Sequence, residues 1–299
     1  GASLVYLNEP NKDIEHEKGS NDYLAFAAGS MQGWRLNMVI IFTIAFSEVS
    51  LLSDSRKFKS NFKNLNLGDA HIANPKYLND TEKALFGVFD GHGGREVAIY
   101  TNKHYEKILG KDFETLGKED EKEWLRQSFL KVDVELRTEK GQNEVGDLRR
   151  AMPPKKPAIL NILGDDKDKK DPSEQSNEEM MLDSIGCTSN VVYIDKSQKK
   201  IFVANAGDSR CVLGKGGKAV EMSIDHKPEL DRNRQDNKVG VTITEGRVDG
   251  NLNLTRSLGD LKYKQRTHLT PEEQAITANP DTYEFPLEND IDFILMGCD

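Results

Sequence analysis

Apolar and polar positions follow two rhythms along this chain. The run ALFGVF, residues 84–89, is apolar at nearly every position, stops at Asp90, and is followed by Gly91, His92, Gly93 and Gly94. β-favouring residues bounded by glycines predict a buried strand that enters a tight loop. Behind it, residues 95–109 place Val97, Ile99, Tyr100, Tyr105, Ile108 and Leu109 at helical spacing, and Gly110 suits the helix end. A second helix is predicted over 119–139, buried along Trp124, Leu125, Phe129, Leu130 and Val132. Short β-rich runs at 190–194, 200–206, 210–213, 219–223, 243–248 and 292–296 read as an antiparallel meander turned by KSQKK and GKGGK, with a helix-compatible stretch at 271–276.

Three segments fit these rhythms less well. Residues 1–22 are polar and read as a flexible N-terminal segment, before strand character returns over 23–38 with a turn at Gly33-Trp34-Arg35. Residues 39–52, VIIFTIAFSEVSLL, are apolar and β-branched, interrupted by Glu48, and too short and mixed to span a membrane. With the basic, Asn-rich 53–68 they form a segment, 39–68, with no obvious place in a compact core. Residues 137–183 combine prolines at 153–157 with GDDKDKKDPSEQSNEE and predict a disordered loop, because low hydrophobicity and dense charge do not offset the entropy of ordering.

Composition narrows the picture. The formal net charge of -9 over 299 residues disfavours a broad nucleic-acid or anionic-membrane surface. Three cysteines, Cys187, Cys211 and Cys298, lack paired spacing, which suggests neither a disulfide framework nor a zinc cluster and points to a reducing, cytoplasmic (or nuclear) setting. The opening GASLVYLNEPN has no secretory pattern, and Val5 stands where a myristoylation motif wants Ser or Thr. Residues 23–299 are read as one domain, expected to act as a monomer.

The candidate chemistry lies in how the strands end. FGVF terminates in Asp90, IFVANAG in Asp208 and FILMGC in Asp299, while Asp69 opens the short motif DAH. Carboxylates gathered at strand ends, without Cys or His at ligand spacing, specify an oxygen-rich site suited to Mg²⁺ or Mn²⁺. Two such ions about 4 Å apart would make a shared water nucleophilic. No serine lies in a nucleophile-elbow motif.

Six ordered stretches, FGVFDGHGG, GCTSNVVYI, IFVANAGDSRCVL, DHKP, GRVDGNLNLTRSLGD and FILMGCD, resemble the metal-dependent protein phosphatase 2C family over roughly 20–38, 69–136 and 184–299. The resemblance implies an α+β fold, an α-β-β-α sandwich of two antiparallel sheets flanked by helices. It implies hydrolysis of phosphoserine and phosphothreonine in phosphorylated protein substrates, using water activated between two Mg²⁺ or Mn²⁺ ions, with a third, weaker metal position. Carried over by motif, Asp90 and the Gly91 carbonyl ligate metal, as do Asp69 and Asp299, and Asp208 matches the weaker position. Arg35 matches the arginine that grips the substrate phosphate, for which a planar guanidinium is well shaped. His92 becomes the general acid or the group orienting water near the leaving oxygen. Asp260 reads as loop support, and His71 and His226 as structural.

Two departures stand out. The family runs from GWR through two variable residues into Met-Glu-Asp-Ala-His, whereas here 39–68 separates Met38 from Asp69 and Gly68 replaces the Glu. Removing 39–68 nearly restores the motif, as a retained intron would; an insertion looping out from the site is the alternative. The family also continues past the acid matched by Asp299, so the resemblance implies a sandwich lacking its C-terminal part and one late ligand. After DHKP, ELDRNRQDNKVG departs from the usual stretch as well. These departures leave open a second reading, a catalytically impaired relative that binds phosphoproteins.

Overall fold

The computed structural model describes residues 11–33, 39–46, 69–151, 182–229 and 241–298. In chain order the strands are β1 (Asn11–Ser20), β2 (Leu24–Gly33), β3 (Val39–Phe46), β4 (Asp69–Asn74) and β5 (Lys83–His92). Helices α1 (Glu96–Gly110), α2 (Glu121–Leu136) and α3 (Glu139–Ala151) follow. Then come β6 (Gly186–Cys187), β7 (Ser189–Asp195), β8 (Lys200–Ala206), β9 (Arg210–Lys215) and β10 (Lys218–Glu221). The chain continues with β11 (Ile243–Thr244), β12 (Arg247–Val248), β13 (Leu258–Gly259), β14 (Asp281–Pro286) and β15 (Ile291–Gly297). One sheet runs β1-β2-β3-β15-β9-β10; the other runs β13-β6-β5-β7-β8-β14, with β4 also paired to β5, and β11 and β12 form a separate hairpin.

The second sheet is the middle layer, and its strands show why. Along β5, Leu85 and Phe89 pack towards the helices, whereas Ala84, Phe86 and Val88 pack against the first sheet. Strand β7 divides the same way, Val191 and Tyr193 against Val192 and Ile194. A strand buried on both faces must be apolar at successive positions, which accounts for the unbroken run before Asp90. Helices α1 and α2 cover the outer face through Tyr105, Leu109, Trp124 and Phe129. The Trp124 indole N–H donates to the Leu109 carbonyl (2.8 Å), which locks the two helices. Among the described residues all three α-helices lie on this side. The outer face of the first sheet leaves Ile41, Phe293 and Leu295 exposed.

Three expectations need correction. Residues 11–20, read as part of a flexible segment, form β1, with Glu17 opposite Ala28 and Lys18 opposite Ala27 of β2. An edge strand needs main-chain pairing on one side only, and charged side chains suit an edge. The first half of 39–52 does have a place in the core: β3 pairs with both β2 and β15. Its Ile40, Phe42 and Ile44 are fully buried. The Phe42 ring stacks on Phe26 at 5.5 Å and meets Phe86 at 5.3 Å. Residues 139–151, inside the expected disordered loop, form α3; it buries only Gly141, Val145 and Gly146 and is tied down by charge. Glu144 pairs with Lys103 and His104, and Arg149 with Glu96. Residues 1–10, 47–68 and 152–181 lie outside the described residues. No helix among the described residues is long and apolar enough to cross a membrane.

Candidate active site

Strand β4 lies antiparallel to β5 with Asp69 directly opposite Asp90. Side chains alternate along a strand, so Asp90 shares the face of Phe86 and Val88, and both carboxylates open between the two sheets at their rim. Asp69 is 3% exposed. Burial, then the Asp90 charge and a hydrogen bond with Asp90, push its pKa up to about 9. The Cys298 side chain and the Ile40 main chain also hydrogen-bond Asp69. Asp69, Asp90 and Cys298 offer ligand atoms within 4.8 Å of one another.

Cys298 is a site member that its spacing in sequence does not reveal. It continues the inward stripe of Ile294 and Met296 one step beyond β15. Burial and the Asp69 and Asp90 charges raise its pKa well above that of a free thiol, so it stays protonated. Its thiol also hydrogen-bonds the Ser209 hydroxyl and the Ile40 main chain. Ser209 Oγ lies 2.6 Å from Thr188 Oγ1, which accepts the Asp90 N–H at 3.3 Å, and the Thr188 N–H donates to the Asp90 carbonyl at 2.8 Å. Gly91 sits opposite Cys187 in the β5–β6 pairing.

Asp208 comes into the same region on the turn from β8 to β9, but it is not one of the three residues whose ligand atoms converge. It is 3% exposed, and its Oδ2 lies 3.7 Å from Lys227 Nζ. The loop before it is held by His226, whose Nδ1 accepts the Gly207 N–H (3.2 Å) while Nε2 meets Asp281 Oδ2 (3.1 Å). Accepting at Nδ1 places the proton on Nε2, facing the carboxylate. The structural reading of His226 thus acquires a specific form.

His92 ends β5, and its Nε2 lies 2.6 Å from Asp260 Oδ2. Burial alone would lower its pKa; the Asp260 carboxylate, with Asp90 and Asp208 behind it, reverses that and raises it. Gly186 makes the pair possible: a Cβ there would sit 2.3 Å from Asp260 Oδ2 and 2.6 Å from His92 Nε2. Arg35 and Asp299 lie outside the described residues.

The donor set fits a hard divalent cation. Two facing carboxylates, one of them held protonated by burial and mutual repulsion, form a place where positive charge is missing. The Ser30 hydroxyl, buried and without a hydrogen-bond partner among the described residues, stands opposite Ile40, whose main chain reaches Asp69. An oxygen-dominated set with a neutral thiol suits Mg²⁺ or Mn²⁺ better than a tetrahedral zinc cluster does.

The chain is similar to known proteins over nearly its whole length. It is 36% identical over 299 residues to "Probable protein phosphatase 2C 3" of Paramecium tetraurelia, covering 98% of this chain and 78% of that protein. To "Probable protein phosphatase 2C 11" of Oryza sativa subsp. japonica it is 35% identical over 306 residues, covering 99% and 75%. Among solved structures, a phosphatase from a pathogenic strain of Toxoplasma gondii superposes with a TM-score of 0.56 at 20% identity, covering 96% of this chain and 79% of that one. A C. elegans sex determining protein gives a TM-score of 0.53 at 19% identity over 98% of this chain and 52% of its own. These two likenesses concern the fold. The sequence profile described as "Protein phosphatase 2C" matches residues 53–151 and 144–299, and with the relatives above it establishes that this chain belongs to the protein phosphatase 2C family.

Proposed function

We propose that this chain hydrolyses phosphoserine and phosphothreonine in proteins, using divalent cations held at the junction of the two sheets. The observation that carries the reading is the facing Asp69–Asp90 pair, whose two negative charges a bound cation would allow to coexist. Asp69 and Asp90 would hold the ion, with the Gly91 carbonyl, Asp208 and Asp299 as further oxygen donors in the roles their motifs imply. When bound, such ions neutralise charge on the phosphoryl group and lower the pKa of water.

The remaining work belongs to the chain's own side chains. The Asp260 carboxylate accepts the Nε2 proton of His92, which leaves Nδ1 as the nitrogen able to give a proton to the leaving oxygen. As the phosphorus–oxygen bond breaks, its electron pair stays on the serine or threonine oxygen, which takes the Nδ1 proton. His92 is left neutral, with Nε2–H still on Asp260. Arg35 binds the phosphate oxygens in this scheme. The alternative of a phosphoprotein-binding relative without turnover gains no support from the site, where the acid pair and the His92–Asp260 pair are both intact.

The test is phosphate release from a phosphothreonine peptide with Mn²⁺. Turnover abolished by a chelator and by Asp90→Asn supports the reading; turnover indifferent to both excludes it.

A further inference from the structure

Asp260 has more support than a loop aspartate needs. It is 1% exposed and sits at φ +50°, a left-handed conformation that costs a non-glycine residue of order 1 kcal/mol or more. Its main-chain N–H donates to the Ile185 carbonyl (2.8 Å), and the Ser257 hydroxyl donates to Oδ2 (2.5 Å), the oxygen that also faces His92. Around it, Asp133 of α2 grips the loop on both sides. One Asp133 oxygen accepts the Gly259 N–H (2.8 Å), and the other meets Lys264 Nζ (2.5 Å). Lys264 Nζ also donates to the Ser257 carbonyl (2.7 Å). Its side chain is 2% exposed.

A buried ion pair is a weak way to stabilise a loop, since apolar residues of similar volume often do as well. What it does provide is direction. Here each of its bonds lands within three residues of Asp260, or on the lysine that closes the loop. We propose that Asp260 is a positioning residue for His92, and that the buried Asp133–Lys264 pair holds Asp260 at hydrogen-bonding distance from it. Asp260 fixes the imidazole by taking Nε2–H, so that Nδ1 is presented to the leaving oxygen. Helix α2 thereby sets the geometry of proton transfer from the far side of the middle sheet. This inference rests on the reading of His92 as proton donor.

The experiment compares two substrates on the purified full chain with Mn²⁺. One is a phosphothreonine peptide, whose alkoxide leaving group needs a proton. The other is p-nitrophenyl phosphate, whose phenolate does not. Asp260→Asn is expected to lower kcat on the peptide about 10- to 100-fold, as loss of an orienting partner does, with a loss at least tenfold smaller on the aryl ester and KM little changed. The double variant Asp133→Asn with Lys264→Met, which leaves no unpaired buried charge, is expected to show the same selectivity at smaller amplitude. Melting temperature and intrinsic tryptophan fluorescence confirm folding, and Asp260→Asn alone suffices should the double variant not fold. His92→Gln separates the two levels of the claim. If it shows the selective loss and folded Asp260→Asn does not, the positioning role is overturned while His92 keeps its own. If His92→Gln affects both substrates equally, the proton-donor reading falls, and this inference with it.

Discussion

Asp69 and Asp90 face one another on adjacent strands where even a single buried carboxylate is costly. The response visible without a cation is protonation: Asp69 is pushed up to about 9, by burial first and by Asp90 second. Opposite, His92 meets Asp260 beneath a residue that has to lack a side chain. Gly186→Ala would put a methyl group into the space both partners occupy. The expected outcome is a loss of kcat/KM on a phosphothreonine peptide of about 10- to 100-fold, because displacement by about 1 Å is enough to cost that much. A steady-state assay beside a melting curve checks it; unchanged kinetics in a folded variant would contradict the packing described. At this scale the sequence was legible where a strand end coincides with a motif, as at Asp90 and His92. It was silent on Cys298, because a lone cysteine announces nothing until three strands bring it against two acids.

Among the elements, β3 makes the strongest claim. It sits between β2 and β15, and its Ile40 main chain reaches Asp69 and accepts the Cys298 N–H (3.3 Å), so the strand borders the acids. Phe42→Ala removes a ring packed against Phe26 and Phe86 and is expected to destabilise the protein by about 3–5 kcal/mol. Urea unfolding measures this, and a loss below about 1 kcal/mol would place β3 outside the core. The apolar run of β3 was plain in the sequence. Its partners were not, since pairing with β15 joins residues some 250 apart. Helix α3 was hidden for the opposite reason: charged, helix-favouring residues that bury little resemble a disordered stretch until Arg149 finds Glu96.

On the scale of the whole molecule, two cores share one middle sheet, and the site lies where its strand ends meet the first sheet. Asp281, at the start of β14, ties that sheet to two loops. Burial would raise its pKa, but His226 and Arg256 overcome this and hold it well below the usual aspartate range. A depressed pKa stabilises the fold above the unfolded value, near pH 3.9, and that stabilisation drains as pH falls further. Melting temperatures between pH 5 and pH 3 should therefore fall less steeply in Asp281→Asn than in the parent chain. Identical slopes would show that the cluster contributes nothing to acid stability. The burial of β5 was open to reading from its unbroken apolar run, whereas the layer order rests on pairings between distant strands.

The central claim is that the facing acids are built to receive a divalent cation, and one measurement tests it most directly. Thermal melting of the parent chain and Asp90→Asn is followed with and without millimolar Mn²⁺. Ligand binding to the native state raises the melting temperature, and removing the like charge that faces the buried Asp69 stabilises the cation-free protein. The parent chain is predicted to gain several degrees on adding Mn²⁺, whereas Asp90→Asn starts at or above the parent's cation-free value and gains little. Equal gains in the two proteins would contradict the account.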